Sequence, residues 1–305
     1  MTSAALWWQG ARPRTLPASL APVAVGAGCA AFTSTRGYAL TDLAIAFGCI
    51  VVALALQVGV NYANDYSDGI RGTDTARVGP VRLVGGGLAP PATVKRAAFA
   101  AFGVAAVAGL MLVLITGLWW LLLVGAAAIA AAWFYTGGPR PYGYAGLGEL
   151  FVFIFFGLVA VVGTAACFTG SISLLSVVLA VPVGSLAVAI LVANNLRDIR
   201  TDVLAGKHTL AARIGDRRTR DLFVALIWVP FVVVAVVAVF GLIDSESWPS
   251  LAALALVAIP MGAGAARQVR RGAAGPDLIV VLGETARLEL VFSLLLAIGT
   301  ALSSG

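Results

Sequence analysis

The sequence predicts an all-α membrane protein with nine transmembrane helices and a cytoplasmic N-terminus. Three observations predict it. Hydrophobic residues make up 60% of the 305 and charged residues only 11%, whereas a soluble domain carries about 25% charged residues. The apolar residues come in runs of about 20, the length a helix needs to cross the hydrocarbon layer. The basic residues fall on alternate loops. With spans at 16–34, 41–63, 94–115, 117–136, 147–168, 173–195, 220–242, 248–266 and 283–303, all of the 20 Lys and Arg residues except Arg36 lie together. They sit in or beside the N-terminal segment and the loops after spans 2, 4, 6 and 8, which the positive-inside rule places in the cytoplasm.

Each element has its own reason. The first apolar run carries no convincing cleavage site and reads as a retained helix. Spans 3 and 4 are divided at Thr116 and Gly117, because the merged run is too long for one crossing. Span 5 follows the Gly- and Pro-rich stretch YTGGPRPYGYAGLGE, a turn composition, and Glu149 at its start complements the helix dipole. Span 9 opens on GETARLEL, where helical spacing predicts a Glu284–Arg287 ion pair. The loops after spans 2 and 6 are the longest, and loops of about 25–30 residues are functional or flexible. Nothing marks a second domain, so residues 1–305 read as one membrane-embedded unit. A weak internal repeat, spans 2–5 against 6–9, is suggested by the placement of the acidic motifs described next.

The net charge of +6 matches this topology and anionic lipid headgroups, not a nucleic-acid partner. Cys29, Cys49 and Cys167 are isolated in apolar runs and read as small core residues. His208 is the only histidine, which argues against a zinc site.

Two acidic stripes stand out. NYANDYSDG places Asn61, Asp65 and Asp68 at spacings of four and three, and NNLRDIRTD places Asn194, Asp198 and Asp202 at spacings of four. On a helix each set shares one face. One such stripe alone reads as the polar exit of a membrane helix. Two, on the same cytoplasmic side and with the same Asn-x-x-x-Asp opening, point to a shared task. Carboxylates repel a diphosphate, and Mg²⁺ between them resolves the conflict, since it favours carboxylate, phosphate and water oxygens. Arg71, Arg77, Arg82 and Lys207 follow the stripes and are candidates to clamp phosphate oxygens; plain topology accounts for basic residues there equally well. Arg140 and Tyr135, with Tyr142 and Tyr144, are candidates for holding an aromatic acid, and Arg12 and Arg14 before span 1 come next. A cation-coupled secondary transporter is the alternative of a different class, but it favours acids near mid-membrane.

The pairing of NxxxDxxD with a later DxxxD in a nine-span chain resembles the UbiA superfamily of intramembrane prenyltransferases. ARPRTLPASLAPV, NYANDYSDGIRGTD, RVGPVRLV, YTGGPRPYGYAGLGE, NNLRDIRTDVLAGKHTLAARIG and TARLEL resemble the branch that prenylates 1,4-dihydroxy-2-naphthoate. That resemblance implies helices around a central cavity open to the cytoplasm, with Mg²⁺ held by Asn61, Asp65, Asp68, Asp198 and Asp202. It also implies transfer of a polyprenyl group from polyprenyl diphosphate, loss of diphosphate and CO₂, and a demethylmenaquinol product. 4-Hydroxybenzoate and haem are the other acceptors it allows. The first motif departs from the superfamily at Gly72, where a third acid is common, leaving Asn64 and Asp74 as alternate ligands. Tyr62, Tyr66 and Tyr135 are candidates to steady an allylic cation.

Overall fold

Side chains that end apolar runs set the helix boundaries. Ser173 and Thr209 cap their helices through side-chain oxygens that accept from Ser176 and Ala212 backbone N–H groups at 3.1 and 3.3 Å. Pro91 and Pro276 stand at first helical positions, where the missing N–H costs nothing. Gly117 and Gly170 end their helices in the left-handed conformation, which glycine adopts without a Cβ clash.

The computed structural model describes residues 3–33, 39–72 and 81–304, with Arg14 described by its backbone only. Among them there are helices and no strands. A short α1 (Ala4–Gly10) precedes α2 (Leu16–Thr33), α3 (Leu40–Ile70), α4 (Pro91–Thr116) and α5 (Leu121–Phe134). Then come α6 (Gly148–Thr169), α7 (Leu174–Leu204), α8 (Leu210–Ile243), α9 (Ser250–Arg270) and α10 (Pro276–Leu302). Seven of these, α2, α3, α4 and α6 through α9, are long and apolar enough to cross a membrane. The run expected at 117–136 forms only the 14 residues of α5, about 21 Å of helix, because its ends are spent on a turn at Gly117 and on the loop from Tyr135 onward. The run expected at 283–303 begins earlier, at Pro276.

α7 is the most enclosed span. It packs on α6, α8 and α10, and residues such as Leu186, Phe223, Ile227 and Phe292 join in the largest core. Small residues allow close approach, as in other membrane helix pairs. A Cβ on Gly157 would lie 2.7 Å from the Gly184 Cα, and one on Gly28 would lie 2.7 Å from the Ala297 carbonyl oxygen. A second core joins α3 and α4 to Leu83 and Ala89 of the following loop. Between the two cores α2 through α7 leave a cavity. The outer surface is apolar, with Phe47, Val107, Met111, Val232 and Phe240 exposed. An apolar belt of that extent suits lipid and not water.

One small expectation is overturned here. Glu284 does not pair with Arg287; its carboxylate accepts from the Gln268 amide on α9, because the helix presents it to a neighbour and not along its own face.

Candidate active site

The long helices α3 and α7 each continue past their apolar stretch, so both acidic motifs stay helical and keep their stripes. Asn61, Asp68, Asp198 and Asp202 line one cavity of about 590 Å³, together with Asn64, Asn194, Arg12, Arg82, Tyr135, Tyr144 and Lys207. Its polar end is defined by these residues. Its other end is apolar and reaches Cys49 on α3, 19 residues before Asp68, about 28 Å along the helix.

Asp68 and Asp198 have cationic partners. Asp68 is buried and accepts from Lys207 Nζ at 3.1 Å and from the Tyr144 hydroxyl, with Arg82 at 3.5 Å. The Lys207 ammonium also lies 4.6 Å from the Tyr144 ring centre. Asp198 accepts from Arg197 through both oxygens at 2.7 Å, a bidentate pair. Asp202 accepts from the Thr209 hydroxyl at 3.4 Å. Lys207 is presented by the turn that ends α7, where its N–H bonds to the Asp202 carbonyl at 2.8 Å.

The N-terminal segment closes one side. Arg12 adopts φ of +56°, uncommon for a residue with a Cβ. The conformation is held on both sides: Asn61 Nδ2 donates to the Ala11 carbonyl at 2.8 Å and Thr15 Oγ1 to the Arg12 carbonyl at 2.9 Å. Asn61 thereby commits its NH₂ to the segment.

Three of the expected residues have other partners or placements in the structure. Asp65 does not line the cavity; its carboxylate accepts from the backbone N–H groups of Leu83 and Val84 at 2.7 and 3.0 Å, because the loop folds back over α3. Arg71 donates to the carbonyls of Ser67, Thr136 and Gly138, tying the end of α3 to the loop after α5. Arg140 is exposed and apart from the cavity, since the turn at Gly138 carries it outward. Arg77 and Asp74 lie outside the described residues, as does the Arg14 side chain. Of the three tyrosines considered for a cation, Tyr135 lines the cavity. Tyr62 bonds the Trp7 carbonyl, and Tyr66 stacks on Trp133.

The structure also assembles groups that spacing does not show. Tyr142 stacks on Phe151 with ring centres 4.1 Å apart, and Phe151 on Phe155 at 6.2 Å. The Tyr142 hydroxyl bonds the Ala131 carbonyl at 2.8 Å, and burial pushes the phenol above its ordinary range. Glu149 accepts from Asn195 at 3.0 Å across α6 and α7, a role beyond the dipole. Cys49 and Cys167, isolated in sequence, join one apolar cluster and line the cavity wall. Only the tertiary fold brings residues so distant in sequence together.

Among the described residues no three Asp, Glu, His or Cys side chains converge into an all-protein metal cage. The donors at the cavity are hard oxygens from carboxylates and amides on two facing helices. That set fits Mg²⁺, which is commonly held by one or two carboxylates with the rest of its shell from substrate phosphates and water.

The loop-holding contact of Asp65 is testable. Replacing it by Ala strands two backbone N–H groups, at about 1–3 kcal/mol each when they are buried. Asp65→Ala is expected to speed hydrogen exchange at Leu83 and Val84 while leaving the Mg²⁺ concentration for half-maximal activity within about twofold. A large rise in that concentration with unchanged exchange would make Asp65 a ligand instead.

The UbiA prenyltransferase family matches residues 19–278. The chain is 50% identical over 305 residues to 1,4-dihydroxy-2-naphthoate octaprenyltransferase of Mycobacterium tuberculosis, covering 100% of this chain and 99% of that protein. Among solved structures, the apo form of a UbiA homolog from Aeropyrum pernix K1 matches with a TM-score of 0.68 at 16% identity, covering 94% of this chain and 97% of that one. A UbiA homolog from Archaeoglobus fulgidus bound to GPP and Mg²⁺ matches with a TM-score of 0.61 at 13% identity, covering 95% and 99%. Opposed acidic stripes, the apolar chamber behind them and the match over most of the length lead to one conclusion: the chain belongs to the UbiA prenyltransferase family.

Proposed function

We propose that this protein transfers a polyprenyl chain from polyprenyl diphosphate to 1,4-dihydroxy-2-naphthoate, with loss of diphosphate and CO₂, giving a demethylmenaquinol. The observation that carries this reading is the 50% identity over the full chain to an enzyme of that name. The cavity supports it, having a charged end and an apolar end, as a substrate with a diphosphate head and a prenyl tail requires. The same geometry disfavours a transporter, whose ion sites belong near mid-membrane.

In this reading Asp68, Asp198 and Asp202, with the amide oxygens of Asn61 and Asn64, hold Mg²⁺ and through it the diphosphate. When bound, the ion supplies positive charge against the leaving group. Lys207 and Arg82 exchange their carboxylate partner for phosphate oxygens. Asp65 positions the loop that carries Arg82. Arg12 faces the carboxylate of the acceptor, and Tyr135 its ring. The apolar wall keeps water from the allylic cation left by diphosphate, so the electron-rich ring is the nucleophile at hand. The ring carboxylate then leaves as CO₂. The tail lies between helices, open to lipid beside α5, since it is too apolar to remain in water.

The orientation follows from charge. Nine crossings, with α5 and α10 completing the set, place the N-terminus and the site on the cytoplasmic side of the cell membrane. Leu204→Cys is expected to react with an impermeant maleimide only in inside-out vesicles, and Ser245→Cys only in intact cells; both positions are exposed. Labelling of Leu204→Cys from outside would reverse the topology. The reaction itself is tested by supplying purified protein with octaprenyl diphosphate and a panel of aromatic acids and identifying the product by mass.

A further inference from the structure

Three glycines line the cavity from three different helices: Gly109 on α4, Gly125 on α5 and Gly163 on α6. At each, a Cβ would meet nothing within 4 Å. Most other glycines in helix interiors here are packed. Gly26, Gly28, Gly48, Gly59, Gly157 and Gly184 would each bring a Cβ within 3.0 Å of a neighbour. Those permit close packing. The three in the cavity serve no packing contact, and in a helix each forgoes about 1 kcal/mol of stability relative to Ala. Their missing side chains leave open volume instead.

The three share a level. Gly109 lies seven residues before the end of α4, Gly125 four residues after the start of α5, and Gly163 six residues before the end of α6. At 1.5 Å per residue these are about 6–11 Å from the helix ends. Each of those ends is the one remote from the carboxylates, so the glycines surround the deep part of the chamber.

A second, independent feature keeps Gly163 aimed there. The residues of α6 that line the cavity recur every four as adjacent pairs, Phe151 with Val152 through Gly163 with Thr164, and end at Cys167. In a regular α-helix a step of four overshoots a full turn by about 40°, so Cys167 would point about 160° away from Phe151. Residues Phe153–Val159 are wound as a π-helix, which has more residues per turn and takes back part of that drift. The π segment is pinned to α7 by the Gly157–Gly184 backbone approach. The wall therefore runs unbroken from bulky aromatic rings near the charged end to small residues at depth.

We propose that Gly109, Gly125 and Gly163 form a collar that determines prenyl chain length, holding the deep chamber open for long polyprenyl diphosphates. The proposal rests on the prenyltransferase reading of the cavity. Short chains end above the collar and do not sense it; long chains pass through it. Filling the collar discriminates by length and leaves the charged end untouched.

The test uses the full-length purified protein in lipid nanodiscs, with Gly109→Leu, Gly125→Leu and Gly163→Leu beside Gly103→Leu. Gly103 on α4 has the same open surroundings but does not line the cavity. The readout is the ratio of kcat/KM for octaprenyl diphosphate to that for geranyl diphosphate. At least two of the three collar variants are expected to lower this ratio about tenfold or more, and Gly103→Leu to leave it within about twofold. A parallel measurement needs no acceptor: octaprenyl diphosphate with Mg²⁺ raises the Tm of the wild type, and that shift shrinks in the collar variants while the shift from geranyl diphosphate persists. Equal losses for both chain lengths, an unchanged ratio in all three, or the same change in Gly103→Leu would overturn the collar. If the wild type prenylates no naphthoate, the acceptor reading fails, and the Tm shifts still decide the collar.

Discussion

Asp68→Ala is expected to lower kcat by about 10³-fold, roughly 4 kcal/mol of transition-state stabilisation, while the protein still inserts and folds. Asp68 links the first stripe to the end of the second helix: it comes from α3, and Lys207 from the turn after α7 bonds it at 3.1 Å. Its loss removes a proposed ligand oxygen and the carboxylate that Lys207 and Arg82 share. Asp202→Ala is expected to match it closely. In the proposed reading the two carboxylates serve one diphosphate from opposite sides, so the double variant is expected to lose little beyond the worse single one, as for groups that act as a unit. Activity is expected to vanish with a chelator and return with Mg²⁺. Steady-state kinetics in detergent, with Tm as the folding control, decide the matter. Full activity of Asp202→Ala would leave the second stripe without a task and sink the paired site.

The second large effect is at the acceptor. 1,4-Dihydroxy-2-naphthoate is expected to be prenylated with one CO₂ released per product, and 4-hydroxybenzoate to react at least about tenfold to a hundredfold more slowly in kcat/KM. Losing one ring removes on the order of 1–3 kcal/mol of apolar contact, and more if polar partners are stranded. The stacked Tyr142 and Phe151 give this cavity a flat apolar face suited to a two-ring acid. Arg12→Ala is expected to raise KM for the acid several-fold while changing KM for the prenyl diphosphate less. Arg140→Ala is expected to do neither, since Arg140 is exposed and away from the cavity. Isotope-labelled carboxylate and product mass measure both outcomes. Prenylated 4-hydroxybenzoate as the main product, its carboxylate retained, would refute the acceptor and leave the family membership intact.

How much of this was legible beforehand differs by residue, and the reason is physical. The helices follow from composition and run length, because lipid offers backbone groups no partner outside a helix or barrel. The stripes Asn61–Asp68 and Asn194–Asp202 are periodic, and period is a property of the chain alone. The resemblance of whole stretches pointed to the same family that full-length identity now shows. Five side chains could not be placed in that way. Asp65 and Asp68 sit one turn apart on the same helix, yet the first turns to the N–H groups of Leu83 and Val84 and the second to Lys207, 139 residues away. Arg71 and Arg140 look alike as loop cations, but carbonyl oxygens capture one and a glycine turn exposes the other. Arg12 reaches the cavity through a left-handed backbone that Asn61 and Thr15 hold in place. The sequence by itself determined the all-helical class, the charge asymmetry and which residues share one helix face. Tertiary structure alone decided which of two neighbouring acids meets the cavity, because that choice depends on partners brought in from distant parts of the chain.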